Sequence, residues 1–234
     1  MNTASAVVAE LKRLGDATSA LAAQRYFKTG PGEYSEGDVF LGIRAADLRR
    51  VARGYSLASL PEIHKLLHSR FHEARLVALL ILVHAYERGD DDLRAAVFDL
   101  YLANTDLINN WDLVDLSAPK IVGAHLGPGR HALLTRLAKS KSLWERRIAI
   151  LATFWFIRHD HFAETLRITH ILLHDEHDLI HKAVGWALRE VGKRDRQVEE
   201  AFLRKHGTQM PRTMLRYAIE RFPEPLRQEY LRAV

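Results

Sequence analysis

Apolar residues recur at three- and four-residue spacing along most of this chain, and no stretch keeps up the alternation of a half-buried strand. Three segments carry the pattern most clearly: Ala74 to Tyr86 (ARLVALLILVHAY), Trp144 to Arg158 (WERRIAILATFWFIR) and Asp178 to Lys193 (DLIHKAVGWALREVGK). Leu, Ala, Arg and Glu dominate them, which favours helices over the β-branched and aromatic mix of strands. Gly30-Pro31-Gly32, Gly54, Pro61, Gly89, Gly127-Pro128-Gly129, Gly207 and Pro211 cut the chain into helix-length pieces, and Met1 to Gly15 reads as the first of them. The pattern predicts an all-α fold.

A weak repeat runs through the helices. Glu73-Ala-Arg75-Leu-Val-Ala-Leu lines up with Glu145-Arg-Arg147-Ile-Ala-Ile-Leu at an offset of 72, and Lys182-Ala-Val-Gly-Trp follows Arg147-Ile-Ala-Ile-Leu at an offset of 35. Trp111 falls midway, so a unit of 35 to 36 residues recurs, each expected to be a helix pair. Such pairs bury their apolar faces only against neighbours and stack into an α-solenoid with a curved groove along one side. A compact irregular bundle is the competing arrangement. The length, 234 residues, fits a single repeat-built domain spanning 1–234.

Composition narrows the function classes. With 47% apolar and 27% charged residues the chain has ample core material and is too hydrophobic for disorder. It contains no cysteine, which excludes disulfides, thiolate zinc sites and a cysteine nucleophile, and suits a reducing, cytoplasmic compartment. The longest apolar run, Leu76 to Val83, is well short of the roughly 20 residues needed to cross a bilayer. No membrane association is expected. Lys and Arg (34) outnumber Asp and Glu (29), giving +5 with neutral histidines, a modest excess compatible with a polyanionic partner.

The densest chemical cluster is Asn109-Asn110-Trp111-Asp112-Leu113-Val114-Asp115. On a helix, Trp111 and Asp115 share a face at i,i+4 spacing. Asn110 is a natural N-cap, and Asp112 fits a helix-start role in the first turn. Asp115 lies past that turn in an otherwise apolar helix, while a core position is the competing role for Trp111.

Phe40-Leu-Gly-Ile43, Trp111-Asp-Leu-Val-Asp115, Trp144-Glu-Arg-Arg-Ile-Ala-Ile150 and Lys182-Ala-Val-Gly-Trp-Ala-Leu-Arg-Glu190, in this order and at these separations, resemble the AlkD family of DNA alkylation repair glycosylases. The similarity runs over nearly the whole chain. It implies a HEAT-like solenoid of antiparallel helix pairs with double-stranded DNA in a concave basic groove. By motif, the family's aspartate falls on Asp115 and its two tryptophans on Trp111 and Trp186. A family arginine close to DNA falls on Arg147, and a tyrosine of the amino-terminal helices on Tyr26. The sequence departs from the family between Lys28 and Phe40, where TGPGEYSEGDV makes a longer loop.

The implied activity is monofunctional release of N3- and N7-alkylated purines from duplex DNA, leaving an abasic site and needing no cofactor. A purine cationic through alkylation is already a good leaving group, and the transition state resembles a sugar oxocarbenium ion. A carboxylate such as Asp115 stabilises that cation and can orient or deprotonate the attacking water. Indole faces such as Trp111 and Trp186 add cation–π attraction of about 0.5 to 2 kcal/mol each. Arg146, Arg147, Lys182, Arg189, Lys193 and Arg194 are candidates for backbone phosphates. The protein is expected to work as a monomer, associated with the nucleoid when bound to DNA.

Two other readings compete. His170, His174, His177 and His181 would share a face on one continuous helix and could ligate metal, but Asp175-Glu176-His177-Asp178 reads as a turn, with Asp178 as the next N-cap. No metal site is therefore expected. The second alternative is a non-catalytic solenoid that holds DNA or protein in its groove. Neither a glycine-rich phosphate loop nor a GxSxG elbow is present.

Overall fold

A computed structural model describes residues 2–232. No strand occurs among the described residues, where the single extended pairing is an isolated parallel bridge between Val39 and Phe71. The all-α expectation holds. The chain gathers into two compact units, the first ending at Ser117 and the second beginning at Ala118.

The first unit contains α1 (Ala4–Leu14), α2 (Ala17–Tyr26), α3 (Ala45–Gly54), α4 (Leu60–Leu67), α5 (His72–Arg88), α6 (Asp91–Leu102), a 3-10 turn (Thr105–Leu107) and α7 (Trp111–Ser117). Its hub is α5, against which α1, α3, α4, α6 and α7 all pack. That arrangement follows from the sequence of α5, where Ala74, Val77, Ala78, Leu79, Ile81, Leu82 and Val83 cover the helix all round and are buried. Each large side chain so buried contributes roughly 1.5–3 kcal/mol, which ties the neighbouring helices to this one.

The second unit contains a π-helical turn (Pro119–Gly123), α8 (Ala124–Leu126), α9 (Ala132–Ala138), α10 (Leu143–Arg158), α11 (Ala163–Ile171), α12 (Asp178–Arg194), α13 (Arg196–His206), α14 (Arg212–Ala218) and α15 (Glu224–Arg232). Here α10 packs on α9, α11 and α12, while α12 packs on α13 and α14. Gly185 permits a close approach of α12 to α14, because a Cβ there would lie 2.4 Å from the carbonyl oxygen of Met214.

The three segments read from periodicity are α5, α10 and α12, each displaced by only one or two residues at its ends. The repeat markers fall near the starts of these helices. Glu73 and Arg75 occupy the first turn of α5 and Glu145 the first turn of α10, while Arg147 opens the second turn of α10 and Lys182 that of α12. One boundary needs correction: His177, not Asp178, caps α12, its Nδ1 accepting from the Leu179 N–H at 3.1 Å.

Residues 27–44 between α2 and α3 form the long irregular connection expected from the sequence. Gly42 ends it with φ +78°, and a Cβ there would lie 2.2 Å from the Asp16 carbonyl oxygen, so the loop seats directly on the backbone of α2. The Glu73 carboxylate of α5 holds the same point, accepting from the N–H groups of Leu41 at 2.9 Å and Gly42 at 2.8 Å.

One buried carboxylate in the second unit is poorly served. Glu199 of α13 is buried, and its Oε1 has no hydrogen-bond partner. Burial pushes its pKa up to about 8. The fold prefers the neutral acid, so this group's contribution is complete below the ordinary carboxylate range and is lost as pH rises through about 8. Glu199→Gln is expected to melt roughly 5 °C above wild type at pH 8.5, with the difference shrinking toward zero at pH 4, as followed by circular dichroism.

Candidate functional site

The start of α7 is built by side chains that close on their own backbone and on the loop. The Asn110 carbonyl accepts the first helical N–H, from Val114 at 3.1 Å, while its Oδ1 accepts from the Trp111 N–H at 2.8 Å. Its Nδ2 donates to Ser35 Oγ at 2.7 Å, pinning the helix to the 27–44 loop. Asp112 plays the helix-start role expected of it, accepting from the Leu113 N–H at 2.9 Å. It also does something the sequence did not suggest: its Oδ2 pairs with His72 Nε2 at 2.8 Å.

His72 stands at the centre of a buried charge cluster. Its Nδ1 faces Asp38 Oδ2 at 3.1 Å, and Asp38 Oδ1 accepts from Arg75 Nη2 at 2.6 Å. Ser35 Oγ donates to Asp38 at 3.1 Å, and Arg75 reaches on to Asn109 Oδ1 at 3.1 Å and to the Ser69 carbonyl at 3.1 Å. Burial opposes the charge on His72, but its bonds to Asp112 and Asp38 outweigh burial and raise its pKa to about 8. Burial likewise opposes ionisation of Asp38, yet His72 and Arg75 hold it below the usual carboxylate range. At neutral pH the cluster therefore balances two cations, His72 and Arg75, against two carboxylates, Asp38 and Asp112.

Four rings stack from this cluster to Trp111. His72 lies over Phe40 at 4.4 Å and 22°, Phe40 over Phe27 at 4.8 Å and 19°, and Phe27 over the Trp111 ring at 5.2 Å and 16°. Tyr26, 67% exposed, meets Trp111 edge-on at 5.9 Å. The structure thus brings together Tyr26 and Trp111 of the residues expected at the site. Trp111 is half-buried and not a core aromatic. Asp115, also half-buried, follows one turn along α7 on the same face, and its charge acts on the buried Tyr101 hydroxyl, whose ionisation burial already suppresses. Tyr101 is held by Ser117 Oγ at 3.0 Å.

The remaining expected residues belong to the second unit. Trp186 of α12 is half-buried, its Nε1 donating to Glu190 Oε1 at 3.0 Å and its ring meeting Phe154 edge-on at 4.6 Å. Lys182, Arg189 and Lys193 stand at i−4, i+3 and i+7 from it, so they line one side of the helix. Each basic candidate has an internal partner: Lys182 pairs with Asp178 at 2.6 Å, Arg189 with Glu220, Lys193 with Glu190 at 2.6 Å and Arg194 with Asp160 at 3.2 Å. Arg146 binds Asp175 at 2.6 Å and the carbonyls of Ser140 and Lys141. Arg147 is the exception in kind, since it is 5% exposed and donates to the Leu179 carbonyl at 2.6 Å.

The histidine run is divided. α11 ends at Ile171 and α12 begins at Asp178, so His170 and His181 lie on different helices. No group of three or more His, Cys, Asp or Glu among the described residues is arranged to hold a metal ion.

Sequence reasoning missed Asp38, His72, Arg75 and Phe27. Arg75 lies in the repeat and Phe40 in the motif that carries the family resemblance, but the carboxylate and amide partners of Arg75 and His72 lie 34 to 40 residues away, beyond any local signal.

No curated protein matches this sequence. A solved structure of a predicted DNA alkylation repair enzyme from Enterococcus faecalis is similar with a TM-score of 0.68 over 90% of this chain and 97% of that one, at 18% identity. That likeness concerns the fold. The sequence model for DNA alkylation repair enzymes, in contrast, matches residues 7–222, a span that holds the buried cluster, the ring stack and every candidate residue above. On that match, the chain belongs to the DNA alkylation repair enzyme family.

Proposed function

We propose that this protein is a monofunctional DNA glycosylase that hydrolyses the N-glycosidic bond of N3- and N7-alkylated purines in duplex DNA, leaving an abasic site. The observation that carries the reading is the pairing of Trp111 and Asp115 on one face of α7, with the indole backed by Phe27 and left half-open. A half-buried carboxylate beside a braced indole suits a cationic sugar next to a cationic base. It is poorly suited to passive binding of a polyanion, where a negative charge only repels.

In this reading Asp115 faces the deoxyribose. As the bond to the purine breaks, positive charge moves from base to sugar, and the carboxylate gains most at that point. The same carboxylate orients water for attack on the sugar carbon, and the alkylated purine leaves as a neutral base. The indole of Trp111 offers a π face to the cation. Lys182, Lys193 and Arg194 meet backbone phosphates. Their exposed ion pairs contribute little to stability, so a phosphate can replace the carboxylate partner at small cost. Arg147 we assign to the fold, because a phosphate contact would require its guanidinium to leave the Leu179 carbonyl.

Incubation of the protein with duplex DNA carrying N7-methylguanine, in EDTA, is expected to release free base. Asp115→Asn removes charge with little change of shape and should slow release at saturating enzyme by about a hundredfold or more, since such stabilisers are worth roughly 3 to 4 kcal/mol, while duplex affinity holds or rises. Trp111→Ala should cost less than that. Duplex binding with no base release from wild type would replace the glycosylase with the non-catalytic DNA-binding reading.

Lys193→Gln with Arg194→Gln is expected to weaken binding to damaged and undamaged duplexes alike and to reduce the slope of log affinity against log salt by about two. Arg147→Ala should instead leave that slope unchanged and lower stability by about 1–3 kcal/mol, read from urea denaturation, because it deletes a buried guanidinium and its charge-assisted hydrogen bond.

A further inference from the structure

His72 has no part in the chemistry just described, yet it touches both the long loop and α7 of the site's framework. It sits in the first turn of α5, the hub of its unit, and is 2% exposed. One ring nitrogen meets Asp38 of the long loop, and the other meets Asp112 of α7. Its ring face begins the stack that ends on Trp111. Two independent routes, one through hydrogen bonds and one through ring contacts, therefore run from this imidazole to the helix that carries Trp111 and Asp115.

We propose that His72, itself held by Asp38, is a positioning residue that fixes the first turn of α7 through Asp112 and the indole of Trp111 through Phe40 and Phe27. The inference rests on the glycosylase reading for its catalytic consequence, but the coupling of His72 to Trp111 is a property of the fold alone. A gap at the His72 position would leave Asp112 without its tertiary partner and the ring stack without its base. The N–H groups of the first turn of α7 have no acceptor within the helix, so the placement of that turn depends on such external ties.

The charged imidazole is the form that makes both bonds as a donor. Facing it are the Asp38 and Asp112 carboxylates, with Arg75 on the far oxygen of Asp38; the Glu73 carboxylate is turned to the loop N–H groups. The protonated state is favoured in the fold. Both donor bonds are present below the ordinary histidine range, and one of the two is lost as the imidazole gives up its proton with rising pH near 8.

The test uses the full chain labelled with 5-fluorotryptophan. Its four tryptophans give four fluorine resonances, and Trp111→Phe identifies the one from Trp111. In wild type that resonance is expected to titrate with a midpoint near 8, the value toward which Asp38 and Asp112 raise His72. In His72→Gln the titration should vanish. Asp112→Asn, which keeps the shape and folds if His72→Gln does not, should lower the midpoint. A Trp111 resonance that stays still between pH 6.5 and 9.5 in wild type, or that titrates unchanged in both variants, overturns the proposal. In parallel, His72→Gln should slow release of N7-methylguanine about tenfold at pH 7 with unchanged duplex affinity, and the wild-type rate should decline above pH 8. A rate and pH profile identical to wild type would also refute the positioning role. Should no protein release base at all, the glycosylase reading falls while the fluorine titration still decides the coupling.

Discussion

A single buried carboxylate, Asp38, has to satisfy a guanidinium, an imidazole and a hydroxyl at once, and the first unit is organised around that demand. Its Oδ1 takes Arg75, and its Oδ2 takes His72 and Ser35. Removing one partner from such a buried ionic group typically costs 3–5 kcal/mol, because the remaining charge has nowhere to go. The polar loop at 27–44 is consequently bound to the start of α5, and through Asn110 and Asp112 to the start of α7. What looked like an extended surface loop supplies the counter-ion for two buried cations.

The arginine of the weak repeat acquires a common meaning from the structure. Arg75 in α5 and Arg147 in α10 are both buried, and each reaches more than thirty residues ahead along the chain, to Asn109 at 3.1 Å and to the Leu179 carbonyl at 2.6 Å. In both cases the acceptor lies at or just before the start of a later helix that carries a candidate tryptophan, Trp111 on α7 and Trp186 on α12. The two arginines share a bracing geometry: a long helix uses an arginine near its start to hold the approach to another helix. Its placement close to a site is a matter of scaffolding.

How much of this could be read beforehand differs by kind of interaction. The long helices were legible nearly to the residue, because α5, α10 and α12 bury apolar positions at a period that the sequence displays directly. Trp111 and Asp115 were legible as a pair because i,i+4 spacing is local. The role of Arg147 was not, since an arginine at a helix start looks the same whether it faces water or a carbonyl 32 residues away. Asp38 and His72 were hidden for the same reason: their partners are distant in sequence, and polar residues in a glycine-rich loop ordinarily mark solvent. The break in the four-histidine run was legible too, because the polar turn Asp175-Glu176-His177-Asp178 falls between α11 and α12.

α2 carries no buried residue, and Leu21 on it is 61% exposed. The helix is secured at its two ends, where the Asp16 N–H donates to the Leu41 carbonyl at 2.9 Å and where Tyr26 contacts Trp111. A ten-residue helix is marginal in water without packing, so its amides belong at the weakly protected end of hydrogen exchange, far from those of α5. The indole of Trp111 is therefore flanked on one side by the segment that opens with the least loss of core, and on the other by the Phe27–Phe40 stack that leads back to buried His72 of α5. Access to that ring and its orientation are governed by two parts of the unit with very different local stability.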